Sequence, residues 1–149
     1  VNKLMDAFEV YTSLFISSFL SSTLLPGHSE LTLTAFILMK KYPVINLIIF
    51  ASTGNILGSL INWCMGYYVT KLKDKKWFPL NKLQLTRASK WFLKYGKWSL
   101  FFCWVPIIGD PLTIVAGIFR FPIHIFILIV SFAKTMRYVI TYLITTNII

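Results

Sequence analysis

The chain has 149 residues, 56% of them hydrophobic and only 13% charged, with a formal net charge of +10. A soluble domain carries about 25% charged residues, so this composition excludes an ordinary soluble enzyme or nucleic-acid-binding domain and points to an integral membrane protein. The positive charge is concentrated, with nine of the fifteen basic residues between Lys71 and Lys97, which reads as a cytoplasmic, lipid-facing segment.

Residues 1–9 carry Lys3 against Asp6 and Glu9. That is the wrong charge for the start of a signal peptide, so the segment is expected to be retained. Residues 10–25 are apolar and serine-rich. Pro26-Gly27-His28-Ser29-Glu30 follows, then a second apolar run from Leu31 to Met39. Each run falls short of the roughly 20 residues that a spanning helix needs. Together they read as a re-entrant hairpin that dips into the bilayer and returns, broken at Pro26 and Gly27 with Glu30 beside the break. The alternative is a simple turn between two spans, with Ser29 or Glu30 capping the second helix. His28 reads as a turn residue rather than a proton relay.

After the polar break Lys40-Lys41-Tyr42-Pro43, no charged residue occurs from Tyr42 to Thr70. This is the clearest transmembrane helix in the chain. Within it Ala51, Asn55, Gly58, Asn62 and Gly66 recur at spacings of three and four and so share one face. Small and amide residues on one face make either a seam for close helix packing or part of a polar cavity.

Residues 71–97 are amphipathic. Pro79 suits a helix start near Leu80. Leu80, Leu85, Ala88, Trp91, Phe92 and Tyr95 gather on one side. Lys82, Arg87, Lys90, Lys94 and Lys97 gather on the other, with Leu83 and Leu93 as exceptions. The pattern predicts a helix lying in the membrane interface.

The apolar run from Trp98 to Phe119 is interrupted at its centre by Pro106, Gly109, Asp110 and Pro111. Pro111 disfavours helical geometry at Asp110 before it, so a helix entering this run is expected to break near Asp110. Broken backbone in lipid is tolerated only where protein buries it or water reaches it, and a carboxylate there marks a functional site. The competing reading is a surface turn with Asp110 capping the next helix. The last apolar segment, Ile123 to Ile144, carries Lys134 and Arg137 three residues apart with Tyr138 adjacent, hence on one face. They lie too deep for both to be ordinary end anchors: snorkelling would rescue one, and an internal cavity with a carboxylate partner would rescue both. Cys64 and Cys103 sit in apolar runs, and neither a disulfide nor a metal site is expected from them.

Shifting the sequence by 80 positions pairs Pro26 with Pro106, Glu30 with Asp110 and Lys40 with Arg120. Each half then reads as a hairpin plus one full span. One span per half is an odd number of crossings, so the second half is inverted relative to the first. Inverted repeats with broken helices near the midplane characterise many secondary transporters. The fold expected is therefore an all-α integral membrane protein: two inverted repeats (10–70 and 98–145), each a re-entrant helical hairpin plus one transmembrane helix, joined by the amphipathic linker 71–97. Glu30, Asp110, Arg120, Lys134 and Arg137 are expected to line one central proton and substrate site, with Asn55, Gly58, Asn62 and Tyr138 around it.

The segments Ser21–Glu30, Gly54–Gly58, Trp104–Asp110 and Lys134–Tyr138 together resemble the DedA family, also called the SNARE-associated or VTT family, and most closely its short bacterial YqaA-type branch. The resemblance covers nearly the whole chain. It implies a bacterial inner-membrane protein with two opposed re-entrant hairpins, moving lipids such as undecaprenyl phosphate or phospholipids with proton dependence. Larger members place arginines either side of the second hairpin's proline in an F-x-R-x-x-P-x-x-R pattern. Cys103 and Gly109 stand at those positions here, which puts phosphate binding by that motif in doubt.

The first functional reading is thus a proton-coupled transporter of a lipid or lipid-phosphate. A proton-coupled carrier of a small ion or metabolite is the second. An intramembrane enzyme using Glu30 and Asp110 as an acid/base pair is the third, weakened because the sequence offers no nucleophile with a base and no metal-ligand cluster. No catalytic residue and no cofactor are expected. The expected partners are membrane lipids, with anionic headgroups or lipid phosphate as candidates, and not nucleic acid.

Overall fold

The computed structural model describes residues 2–23, 28–68, 82–105 and 109–148, and every regular element among them is helical. In chain order these are α1 (Asn2–Thr23), α2 (His28–Leu38), α3 (Val44–Tyr67), α4 (Lys82–Tyr95), a 3-10 helix (Gly96–Trp104), α5 (Gly109–Ile118) and α6 (Ile123–Ile148). Pro26, Gly27, Pro106 and residues 69–81, including Leu80, lie outside the described residues, as do the side chains of Lys82 and Leu85.

Among the described residues, α3 and α6 are the two helices both long and apolar enough to cross a membrane, at 24 and 26 residues. At about 1.5 Å per residue each exceeds a hydrocarbon core of about 30 Å. Pro43 and Pro122 stand just before them, where a missing N–H costs a helix nothing, and their carbonyls accept the Leu47 and Phe126 amides.

Three elements differ from the sequence expectation. The first helix does not begin near residue 10: α1 takes in the charged segment and runs for 22 residues, because no proline or glycine interrupts it before Pro26. The approach to Asp110 is a nine-residue 3-10 helix from Gly96 to Trp104 rather than α-helix. Asp110 itself is helical, one residue into α5. Proline is tolerated in a first turn because its missing N–H would have no partner there, so Pro111 starts the helix instead of breaking it.

The helices form two compact units, Val1–Gly58 with Lys134–Ile149, and Ser59–Ala133. The first unit is cored by Leu14, Leu33, Ile37, Leu47, Ala51 and Tyr138. The second is cored by Phe92, Leu100, Cys103, Leu112, Val115, Ala116, Phe126 and Val130. The units have matching composition. Each holds a short helix (α2 or α5), the first part of the long helix that follows it, and the last part of the other long helix.

The ends of the two short helices also match in detail. Lys40 and Arg120 are the two non-glycine residues with positive φ among the described residues, at 51° and 53°. Met39 and Phe119 donate to the Ala35 and Val115 carbonyls, at 3.2 and 3.0 Å. Lys40 and Arg120 donate to the Ile37 and Gly117 carbonyls, at 3.1 and 2.9 Å. The left-handed region costs an L-residue roughly 1–2 kcal/mol, and glycine is the usual occupant after a helix. A basic residue stands there in both halves.

Candidate functional site

Four helices of the first unit converge on a buried polar cluster. The first turn of α2 supplies Ser29, which is fully buried, and Glu30. An acid in a first turn faces the positive end of the helix dipole. From α6, Lys134, Arg137 and Tyr138 point one way because three- and four-residue spacings return to the same helix face; all three are buried. From α3 comes Asn55, 1% exposed. α1 closes the cluster with Ser18, Ser21 and Ser22, all buried. Its approach to α3 depends on Gly58, where a Cβ would collide with the Ser22 hydroxyl and crowd the Phe19 carbonyl.

The polar groups connect in series. Lys134 donates to the Asn55 Oδ1. Asn55 Nδ2 donates to the Tyr138 hydroxyl at 2.7 Å, and that hydroxyl donates to Ser29 Oγ at 2.9 Å. Ser29 Oγ lies 3.2 Å from both Ser21 Oγ and Glu30 Oε2 and can donate to one at a time. Glu30 Oε1 forms an ion pair with the Arg137 Nη2. The guanidinium is thereby held on one edge, while its Nε is buried with no hydrogen-bond partner among the described residues. A buried arginine cannot shed its charge by deprotonating, so the ion pair is what makes its burial tolerable.

Asp110 belongs to the second unit. It is half-buried in the first turn of α5. Thr113 donates to the Asp110 carbonyl at 2.6 Å and accepts from Asn62 Nδ2 at 3.2 Å. Ala51, Asn55, Gly58, Asn62 and Gly66 are all buried along α3. Arg120 is exposed after α5, with its guanidinium 4.9 Å from the centre of the Tyr67 ring. It stands at the end of α5, not in a buried polar cluster.

Cys103 and Gly109, the two positions at which the resemblance implies arginine, are closely packed. Cys103 is fully buried, and a Cβ at Gly109 would collide with the Cys103 carbonyl oxygen. Cys64 is exposed on α3, and both cysteines are free thiols. Among the described residues no group of three or more His, Cys, Asp or Glu is placed to hold a metal ion. His28 is exposed, and its carbonyl accepts the Thr32 hydroxyl at 3.0 Å. Ser29 and Ser21 escape sequence reasoning as members of the cluster, because a serine before an acid at a helix start reads as a cap.

The VTT domain model matches residues 25–147. The chain is 38% identical over 128 residues to the inner membrane protein YqaA of Escherichia coli, covering 85% of this chain and 84% of that protein. It is 31% identical over 140 residues to an uncharacterized protein of Haemophilus influenzae, covering 89% and 85% of the two chains. It is 29% identical over 141 residues to undecaprenyl phosphate transporter A of Staphylococcus aureus, covering 85% and 68%. No solved structure matches the chain.

Proposed function

The chain belongs to the VTT-domain (DedA) family, in its YqaA-type branch, and on that premise we propose that it moves a lipid or lipid-phosphate across the bacterial inner membrane with proton coupling. The observation that carries this reading is Arg137: a buried guanidinium engaged by Glu30 on one edge, with its Nε lacking a partner among the described residues. A planar fork with a donor to spare suits a phosphate, which accepts two parallel hydrogen bonds. Lysine or tyrosine alone would give no such geometry.

Glu30 and a phosphate are competitors for the same cation. Protonating Glu30 removes its charge and releases the guanidinium to an anionic headgroup; deprotonation draws the guanidinium back. Asp110 occupies the same position in the second repeat and is the second candidate proton carrier. With Cys103 and Gly109 at the positions of the family arginines, Arg137 is the buried cation that stands in for them. The two repeats are each a re-entrant hairpin plus a span, the second inverted. The name of the Staphylococcus aureus relative supports a polyprenyl phosphate as the class of substrate.

The test is translocation of a fluorescent polyprenyl phosphate and of a fluorescent phospholipid in vesicles with an imposed pH gradient. The expected result is flux that depends on the gradient and vanishes in Arg137→Gln. In Glu30→Gln, Asp110→Asn and the double variant, the gradient dependence is lost. Full gradient-driven activity in the double variant, at normal protein levels, sinks the mechanism. Unchanged lipid asymmetry with the wild-type protein favours the small-solute carrier instead.

A further inference from the structure

At the far end of α2 the first unit carries a pocket of about 440 Å³, in which Lys40, Tyr42, Tyr142 and Thr146 share the walls with Ile37, Leu38 and Val44. Next to it runs a groove of about 390 Å³ between α2 and α6, lined by Thr34, Leu38, Thr141, Ile144, Thr145 and Ile148. Leu38 borders both. The pocket sets one cation and two tyrosine hydroxyls among apolar side chains, and the groove is apolar. The groove's threonines do not make it polar, because the Thr141 and Thr145 hydroxyls already donate to the Arg137 and Thr141 carbonyls. Their methyl groups remain for an apolar guest.

We infer that this composite surface holds one anionic phospholipid, its phosphate on Lys40 and the two tyrosine hydroxyls, and the start of one acyl chain in the α2/α6 groove. Charge, polarity and shape agree on that occupant. An ammonium on a flexible stem suits a phosphate as a point charge. Tyrosines lie where a membrane protein meets the headgroups. A soluble anion would leave the adjoining apolar groove unused.

The backbone gives an independent reason to assign Lys40 a task. Its φ of 51° is one that glycine adopts without strain. The neighbouring Lys41 does not itself line the pocket: it pairs with Asp6 at 3.3 Å, and that contact, with a further one to Tyr42, raises its pKa above the ordinary lysine value. The equivalent residue of the other repeat, Arg120, lies over the Tyr67 ring. The proposal stands apart from the transport reading, since it needs neither Glu30 nor Arg137.

The experiment uses the whole protein, exposed in mild detergent to phosphatidylglycerol or phosphatidylcholine and analysed by native mass spectrometry. One phosphatidylglycerol should stay bound in preference to phosphatidylcholine. Lys40→Gln should weaken its retention about fivefold, the value of one basic residue near a membrane surface. Lys41→Gln makes the same charge change outside the pocket and should weaken retention much less than Lys40→Gln. Ile144→Trp, filling the groove from an exposed position, should weaken retention with Lys40 intact. Lys40→Gly should lose the lipid without losing thermal stability, which separates binding from folding. Equal losses in Lys40→Gln and Lys41→Gln would overturn the site in favour of diffuse surface charge, as would displacement of the lipid by glycerol phosphate. Retained lipid together with failed transport would count against the transport reading alone.

Discussion

In the proposed mechanism the chemistry turns on Arg137, and its neighbours decide what replacements it tolerates. Arg137→Lys keeps the charge opposite Glu30 but loses the planar fork. We expect it to insert and fold, and to keep a reduced fraction of lipid flux in the vesicle assay, whereas Arg137→Gln keeps none. Tyr138→Phe asks a different question. The hydroxyl accepts from Asn55 and donates to Ser29, so its removal leaves two buried groups short of a partner. That costs about 1–3 kcal/mol and should lower the thermal midpoint in detergent, with the protein still correctly inserted. Lys134, Arg137 and Tyr138 were legible as a set because helical spacing alone puts them on one face. Their partners were not, because Ser29 lies more than a hundred residues away in sequence. Arg120 shows the opposite error. Its place in the repeat suggested a central role, but a residue one step past a helix end follows the turn, and the turn leaves it exposed.

At the scale of elements, the seam on α3 and the face of α4 follow from periodicity. Gly58→Leu places a side chain where the Ser22 hydroxyl and Phe19 carbonyl now sit, and overpacking of this kind costs typically 1–3 kcal/mol. The expected result is a lower thermal midpoint, and an unchanged one would mean that α1 and α3 do not depend on this close approach. In α4, Ala88 and Phe92 are buried, while Arg87, Lys90 and Lys94 are exposed beside Leu83 and Leu93, at 58% and 71%. The two leucines that broke the helical-wheel pattern therefore share the exposed face with the cations, a combination suited to headgroups and the first acyl carbons. A peptide of residues 80–97 should bind anionic vesicles more tightly than neutral ones. Replacing its four basic residues Lys82, Arg87, Lys90 and Lys94 with glutamine should remove about 1 kcal/mol each; equal binding to both vesicle types contradicts the electrostatic part. The 3-10 helix had no sequence signature, since an unbroken apolar run from Trp98 to Val105 carries no information on whether it winds with three or 3.6 residues per turn.

For the molecule as a whole, the question is whether the repeat is inverted. In the sequence the proposed repeat rests on its punctuation, two prolines, two acids and two bases at one offset. The backbone adds a feature that no composition argument supplies: Lys40 and Arg120 both adopt left-handed φ, closing their short helices with the same pair of hydrogen bonds. Similar turns say nothing about direction, which follows from counting crossings. If each hairpin enters and leaves on one face, each repeat crosses once, and equivalent turns face opposite sides of the membrane. The positive-inside rule places residues 71–97 in the cytoplasm; α3 then puts Lys40 and Lys41 on the periplasmic side, against that rule, and α6 begins beside the cytoplasmic Arg120. The cost is modest if Lys41 is matched by Asp6 and Lys40 holds a lipid phosphate, because paired cations attract the cytoplasmic leaflet less than bare ones. The measurement is labelling of Lys40→Cys and Arg120→Cys, each with Cys64 and Cys103 replaced by alanine, using a membrane-impermeant maleimide on intact cells and on inverted vesicles. Position 40 should label in intact cells and position 120 only in inverted vesicles. Labelling of both from one side would mean that the stretch between them, α3 and the second hairpin, crosses an even number of times, which requires one arm of the second hairpin to be a full span. The 10-residue α5 is too short for that role, which leaves the arm before Asp110. The equivalent turns would then face the same side, and the repeat would be parallel instead of inverted.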